Sequence, residues 1–381
     1  MMISVFFSGS GRTGAPKRLA MLASELSKYH EGVSYITHRA HEVNQYVDQL
    51  GVDMKCLWRP SLLEAGFSGS SLFKKFAYLL MVFLYQPYLF FFVLRLNGKV
   101  VVLRSTLSGF VYFAAYFVPG KKVVLDIDLE LPDSPLVNLA RRVSLKRSSL
   151  IVTQYESVLE EKLSKEQFNA IRHKVVNITP GIEVFSNSSS ASSLQSGSRA
   201  CINFLHVGKV HPRKNQLFAV RLMAEISNQN PELDFLLRMV GGIDDASYYE
   251  KVVCEIRDLG LESKVEFLGW RDDVSSLMQE SDVLLVTSLN EGVPNTVQEA
   301  MVIGLPVIAS CAGGIPDIIE HERSGFLMPD FDESKWASGL LSFLSDASKV
   351  LEIRNAAREY AKENFSLEAY GAKYMEVLRR L

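Results

Sequence analysis

The chain has little cysteine: four residues in 381, at positions 56, 201, 254 and 311, with no Cys-x-x-Cys pair. That scatter argues against a disulfide framework and against a thiolate zinc site, and it points to reduced thiols in a cytoplasmic protein. A basic leader is also missing. Met1-Met-Ile-Ser-Val-Phe-Phe runs straight into a glycine-rich turn, which reads as a first strand and not as a signal peptide. No Asp-x-Asp metal motif is evident, since Asp126-Ile-Asp128 matches only literally. Between Ala65 and Val124 there is no Asp or Glu, while Lys74, Lys75, Arg95, Lys99, Arg104, Lys121 and Lys122 are present. The formal net charge of −2 hides this imbalance: residues 1–175 carry 22 Lys+Arg against 14 Asp+Glu. A basic front half suggests that it meets an anionic surface, and nothing in the charge pattern points to a nucleic acid.

What the chain does have is alternation of short apolar runs with helical patterns, the signature of parallel α/β sheets. Runs of this kind are Ile3–Phe7, Val33–Thr37, Lys99–Leu103, Lys122–Asp128, Leu150–Thr153, Ile202–Val207, Phe235–Val240, Val265–Gly269, Asp282–Ser288 and Leu305–Ser310. Between the last two lies Glu291-Gly-Val-Pro-Asn-Thr-Val-Gln-Glu299. Asn295 can cap a helix there, Gln298 stands at the capping-box position, and Gly304 can close it. Such a helix aims the backbone N–H groups of Thr296 and Val297 at the loop, which makes an anion site. Glu291 and Glu299 border that site. Acceptor-only carboxylates beside a phosphate cradle suit a phosphorylated sugar, with its hydroxyls on the glutamates. The plain alternative is a helix-start charge and a solvated loop residue.

Gly208-Lys-Val-His-Pro-Arg-Lys214 follows the Ile202 strand. Lys209 and Lys214 at a strand end suit a diphosphate whose charge grows as it leaves, a contribution of roughly 3–4 kcal/mol to a transition state. Solvated turn lysines are the alternative. In the front half, Gly9, Gly11 and Gly14 spell G-x-G-x-x-G between strand and helix. The acidic residue that should confirm a dinucleotide site is absent, because the second strand ends in His38-Arg39. The loop therefore reads as flexible backbone that can approach a diphosphate. Phe76 to Leu96 is the most apolar stretch and could span a bilayer by length alone. Gln86-Pro87 interrupts it, and a strand follows, so two helical pieces are expected, partly buried on the sheet and partly exposed. Its basic flanks and many aromatics fit a surface lying on anionic lipid headgroups, an expectation for residues 65–124. A core helix with ordinary flanking lysines is the alternative. Asp128, at a strand's carboxyl end, is a candidate for sugar contact or for accepting the acceptor proton, and capping of the next helix suits it equally.

Glu-x7-Glu within Glu291 to Met301, followed by Gly304-Leu-Pro-Val-Ile-Ala-Ser310, Gly313-Gly-Ile-Pro-Asp-Ile-Ile-Glu320 and Ser324-Gly-Phe-Leu, resembles the signature of the retaining family 4 glycosyltransferases. The resemblance implies the GT-B fold: α/β, two doubly wound Rossmann-like domains facing across a cleft. The first, residues 1–178 with the helix 366–381 packed back on it, would bind acceptor; the second, 179–365, would bind the nucleotide sugar. It assigns Glu291 to the donor sugar and Glu299 to the nucleotide ribose. Backbone of Gly292, Val293, Pro294, Asn295 and Thr296 would hold sugar and diphosphate. Gly208, Lys209 and Lys214 stand where the family has Gly, Arg and Lys, with Asn215 in place of a glycine. Gly14 and Ala15 resemble the family's Gly-Gly-Ala, and Trp270 and Arg271 occupy the turn that lines its base pocket. Implied is transfer with retention from a UDP- or GDP-linked donor. No metal or other cofactor is expected, since no Asp-x-Asp motif is evident and lysines with a helix end can replace a metal. The basic, aromatic stretch 65–124 points to a lipid-linked or oligosaccharide acceptor in bacterial surface-polysaccharide assembly, and to a peripheral location on the inner face of the cytoplasmic membrane. A non-catalytic nucleotide-sugar-binding or scaffold protein of the same fold, and an NAD(P)-dependent oxidoreductase, remain the other readings.

Overall fold

A computed structural model describes residues 2–6, 14–37, 44–60, 63, 72–104, 112–127, 135–154, 159–160, 163–182 and 201–381, with backbone alone at 14–18, 72–75, 104 and 135–137. Gly9, Gly11, Asp128 and the Ser-rich stretch 186–198 therefore lie outside the described residues. The chain divides into two compact units, Met1–Gly181 with Leu367–Leu381, and Ile182–Ser366.

The first unit contains strands β1 (Ile3–Phe6), β2 (Val33–Thr37), β3 (Asp53–Cys56), β4 (Val100–Arg104), β5 (Lys122–Ile127), β6 (Leu150–Thr153) and β7 (Val175–Asn177). They form one parallel sheet in the order β3-β2-β1-β4-β5-β6-β7. Strands β1, β2 and β6 are buried on both faces, as near-continuous apolar runs require in a sheet covered by helices. The helices are α1 (Gly14–Tyr29), α2 (Asn44–Gln49), α3 (Leu72–Arg95), α4 (Pro135–Arg147) and α5 (Lys165–Ile171), with α12 (Leu367–Leu378) from the far end of the chain. Leu19, Leu22, Ala23 and Leu26 of α1 share a core with Tyr370, Tyr374, Met375 and Leu378 of α12. The Tyr374 hydroxyl donates to the buried Asp126 carboxylate at the end of β5.

The stretch expected as two helical pieces is one helix. Pro87 lies inside α3, on its exposed side. Tyr78, Val82, Tyr85, Leu89 and Val93, spaced three to four apart, form a stripe buried among sheet residues such as Val101 and Leu103. Burial on both sides of the proline keeps the turns in line despite the lost amide donor. Beside the proline, the Gln86 side chain donates to the Val82 carbonyl (2.7 Å) and accepts from the Ala114 amide (2.9 Å), which ties the helix to the segment after β4.

The second unit is a six-stranded parallel sheet in the order β10-β9-β8-β11-β12-β13. Its strands are β8 (Ile202–Val207), β9 (Phe235–Val240), β10 (Val265–Gly269), β11 (Val283–Val286), β12 (Val307–Ser310) and β13 (Phe326–Met328). Its helices are α6 (Gln216–Gln229), α7 (Ala246–Asp258), α8 (Val274–Glu280), α9 (Asn295–Ile303), α10 (Glu333–Ser345) and α11 (Ala347–Phe365). The core centres on Phe204, Leu237, Met223, Val283, Leu285 and Trp336. The order reverses between β8 and β11, so the loops after these two strands open outward from one crevice, the place where doubly wound sheets take ligands.

Candidate functional site

The loops after β8 and β11 carry the strongest chemistry. After β8 a short 3-10 turn, Pro212–Lys214, ends at Asn215, whose φ of 53° and ψ of 47° are left-handed. Asparagine tolerates that conformation better than most residues, which explains how it stands where the family resemblance has glycine. The turn is pinned from below. The Thr287 hydroxyl lies 3.0 Å from each of the Lys214 and Asn215 carbonyl oxygens, and His206 Nε2 lies 3.1 Å from that hydroxyl. Nε2 also sits 3.3 Å from the Lys214 carbonyl, an acceptor, which assigns the ring proton to Nε2. Burial, with the Lys214 charge adding to it, pushes the His206 imidazole down to about 4. The ring is therefore neutral near pH 7. The Leu289 amide donates to the Arg213 carbonyl (2.8 Å), joining the two loops directly.

On this platform the Lys214 ammonium meets the Glu291 carboxylate. Both side chains are sheltered, 17% and 7% exposed, so the pair is little screened by solvent. Ser288 donates to the same Glu291 oxygen at 2.7 Å, and its own carbonyl accepts from Ser310 at the end of β12 (2.6 Å). The stem of Lys214 crosses the backbone of Gly208: a Cβ there would lie 3.1 Å from Lys214 Cδ and Cε. The Glu291 backbone is held as tightly. Gly313 has φ +56°, and a Cβ on it would fall 1.8 Å from the Glu291 carbonyl oxygen, so only glycine fits. The Gly314 amide donates to the Gly292 carbonyl (3.1 Å).

Helix α9 starts at Asn295 itself, one residue earlier than a cap at Asn295 would give. Pro294 is the N-cap and makes no side-chain bond, so the expected Asn295 cap and Gln298 capping box do not form. Proline's fixed φ already sets the entry to the helix, and Gln298 is fully buried. The Val297 amide bonds the Pro294 carbonyl (3.1 Å). The amides left without an acceptor among the described residues are thus those of Asn295 and Thr296, not Thr296 and Val297. Gly304 closes the helix in the left-handed conformation, as expected. Val293 is buried, whereas Gly292, Asn295, Thr296 and Glu299 are half-exposed.

The remaining candidates behave differently. Lys209 is exposed and pairs with Asp244 at 3.2 Å, a partner distinct from that of Lys214. Its carbonyl accepts from the buried Gln216 (2.9 Å). Trp270 is 73% exposed after β10 and points its indole N–H at Asp272 (3.3 Å). Arg271 forms a two-pronged pair with Asp273, which raises the guanidinium above its usual range and lowers the carboxylate. Gly14 and Ala15 open α1. Asp128 lies outside the described residues, while its neighbour Asp126 is engaged by Tyr374. Ser288, Thr287, His206 and Gln216 escaped the sequence reading. Ser288 alone carried a signal, standing three residues before Glu291 at a strand end.

The family described as "Glycosyl transferases group 1" matches residues 202–346, the stretch that contains this whole cluster. The match covers less than half of the chain, and over that stretch the chain is similar to the group 1 glycosyltransferases. Among curated relatives, the D-inositol 3-phosphate glycosyltransferase of Corynebacterium diphtheriae is 29% identical over 58% of the chain and 55% of the relative. The UDP-Gal:alpha-D-GlcNAc-diphosphoundecaprenol alpha-1,3-galactosyltransferase of Escherichia coli is 31% identical over 39% of the chain and 38% of the relative. The matched regions thus span only about half or less of those relatives. Among solved structures, Anabaena HepE in complex with UDP superposes over 100% of both chains with a TM-score of 0.75 at 20% identity. The fold is therefore GT-B, as the family resemblance implied.

Proposed function

We propose that this protein is a retaining glycosyltransferase. It would move a sugar from a UDP-linked donor to a hydroxyl of a lipid-linked saccharide in bacterial surface-polysaccharide biosynthesis. The observation that carries the reading is the sheltered Lys214–Glu291 pair at the reversal point of the sheet, followed in the chain by the Asn295 and Thr296 amides of α9, which have no acceptor among the described residues. Lys214 and those amides can receive a diphosphate, and Glu291 can accept hydrogen bonds from sugar hydroxyls. Glu299, one helical turn further on, is the candidate for the ribose. Charge that builds on the departing diphosphate would be met by Lys214 and the α9 N-terminus. On this reading transfer needs no metal. The choice of UDP follows the nucleotide bound to HepE, and a lipid-linked acceptor follows the name of the Escherichia coli relative. A peripheral location on the cytoplasmic membrane belongs to the same proposal.

The test is a thermal-shift screen of UDP-, GDP- and ADP-sugars on the purified protein, followed by nucleotide release with the stabilising donor. Stabilisation by UDP-sugars with slow UDP release that Glu291→Ala abolishes supports the proposal. Donor binding without release in the wild type would make the protein a binding module, and no shift with any nucleotide sugar would remove the reading.

A further inference from the structure

Helix α3 is apolar on two opposite sides. One stripe, described above, lies in the core of the first unit. The other consists of Phe76, Leu80, Phe83, Leu84, Phe91 and Leu94, all between 46% and 74% exposed. Exposed Pro87 and Tyr88 fill the interval between Leu84 and Phe91, so the stripe is continuous along one side of the helix. A helix whose outer face is merely solvated carries polar or charged residues there, yet no charge occurs between Lys75 and Arg95. The segment Phe76–Arg95 has a mean hydropathy of 1.8, enough for a bilayer span. Its inner stripe, however, is packed on strands that come both before and after it in one parallel sheet. The helix therefore cannot be surrounded by lipid, but it can lie in a bilayer surface with its outer stripe down.

The surroundings of the stripe select the occupant. Trp58, 62% exposed, sits edge-on to Tyr88 with ring centroids 5.6 Å apart; its amide donates to the Tyr88 hydroxyl and its carbonyl accepts from Tyr85. Trp and Tyr presenting an apolar body with a polar tip are the side chains of the headgroup layer. At the carboxyl end of α3, Lys121 caps the helix by donating to the Leu96 and Gly98 carbonyls. Exposed Arg95, Lys99 and Lys122 surround that end, and the Lys122 amide is bonded to the Lys99 carbonyl (2.7 Å). A second copy docked symmetrically through the same face would bring only more cations to this rim, since residues 65–124 contain no acid. Anionic headgroups neutralise it.

We propose that the outer face of α3, with Trp58 and the Arg95–Lys99–Lys122 rim, is an in-plane docking surface for an anionic lipid bilayer. It names the surface by which the membrane location of the proposed function would be met, and it can be tested without donor or acceptor. The purified protein is mixed with vesicles of phosphatidylcholine alone or with phosphatidylglycerol, and flotation is scored at low and high salt. Wild type should float with the anionic vesicles at low salt and lose at least about tenfold of its binding in high salt. Phe83→Glu with Phe91→Glu should abolish flotation, and Lys99→Gln with Lys122→Gln should weaken it several-fold, while nucleotide-sugar thermal shifts stay unchanged in both. These positions are on the solvent side, so folding is not at stake. No wild-type flotation, equal flotation with neutral vesicles, or an unaffected phenylalanine variant each overturns the proposal. So does a wild-type dimer that Phe83→Glu with Phe91→Glu splits, since the face would then be a contact between copies.

Discussion

Lys214 and Glu291 stand 77 residues apart in the chain, yet their charged ends meet in a site where both side chains are largely shielded from water. The contact exists because β8 and β11 are neighbours in the sheet, and because Thr287 and His206 hold the Lys214 turn at the right height. Removing one partner leaves the other as a buried charge without its counter-ion. Lys214→Met is expected to lower stability by roughly 3–5 kcal/mol, the usual cost of breaking a buried pair. Lys209→Met, at an exposed pair, should leave the urea midpoint unchanged within error. Equal effects of the two variants would show that the buried pair is not the one that matters.

His206 imposes a pH dependence with a definite sign. Its folded-state value of about 4 is below the unfolded value, so the unfolded chain binds the extra proton first. The contribution is complete above the unfolded value, near pH 6.5, and is lost as pH falls toward 4. Between pH 7 and pH 5 this histidine alone should cost about 2 kcal/mol. His206→Gln should flatten that part of the stability curve in urea titrations at the two pH values. A slope unchanged in the variant would assign the acid sensitivity to other groups.

Thr287→Val keeps the volume of the side chain and deletes the hydroxyl between the Lys214 and Asn215 carbonyls. The loss should be roughly 0.5–1.5 kcal/mol, the net worth of one hydrogen bond, because the Lys214 carbonyl keeps His206 Nε2 and the Asn215 carbonyl keeps the Phe218 amide. Because the turn also carries Lys214, UDP binding by calorimetry should weaken along with stability. Weakened folding with unaltered UDP affinity would detach this network from the proposed site.

Gly313→Ala is expected to be among the most damaging single changes in the second unit. The new methyl would fall inside the Glu291 carbonyl, on a backbone that already has positive φ. Gly120→Ala, with positive φ but nothing within 4 Å, controls for backbone strain alone. Melting temperatures of the two should differ widely, and similar losses would mean that strain, not the clash, sets the cost.

Tyr374→Phe tests the return of the chain's end to the first unit. The lost hydroxyl leaves the buried Asp126 without that donor, a penalty of roughly 1–3 kcal/mol. Limited proteolysis should then cut the last helix faster in the variant than in the wild type.

The local pattern of residues was enough to place most strands, the helix after Glu291 with its closing glycine, and the family to which the second unit is similar. Buried parallel strands are runs of β-branched and aliphatic residues, and the Glu291–Glu299 segment is dense in residues with a single structural use. Where the reading went astray, nonlocal packing was responsible. Pro87 reads as a break, but burial on both sides of it holds α3 whole; Asn295 reads as a cap, but Pro294 takes the position. Only the tertiary structure paired Lys214 with Glu291, gave Lys209 to Asp244, and showed that α3 turns one apolar stripe inward and another outward. Those outcomes depend on which strands become neighbours, and burial energy spread over the whole core decides that, not any short stretch of chain.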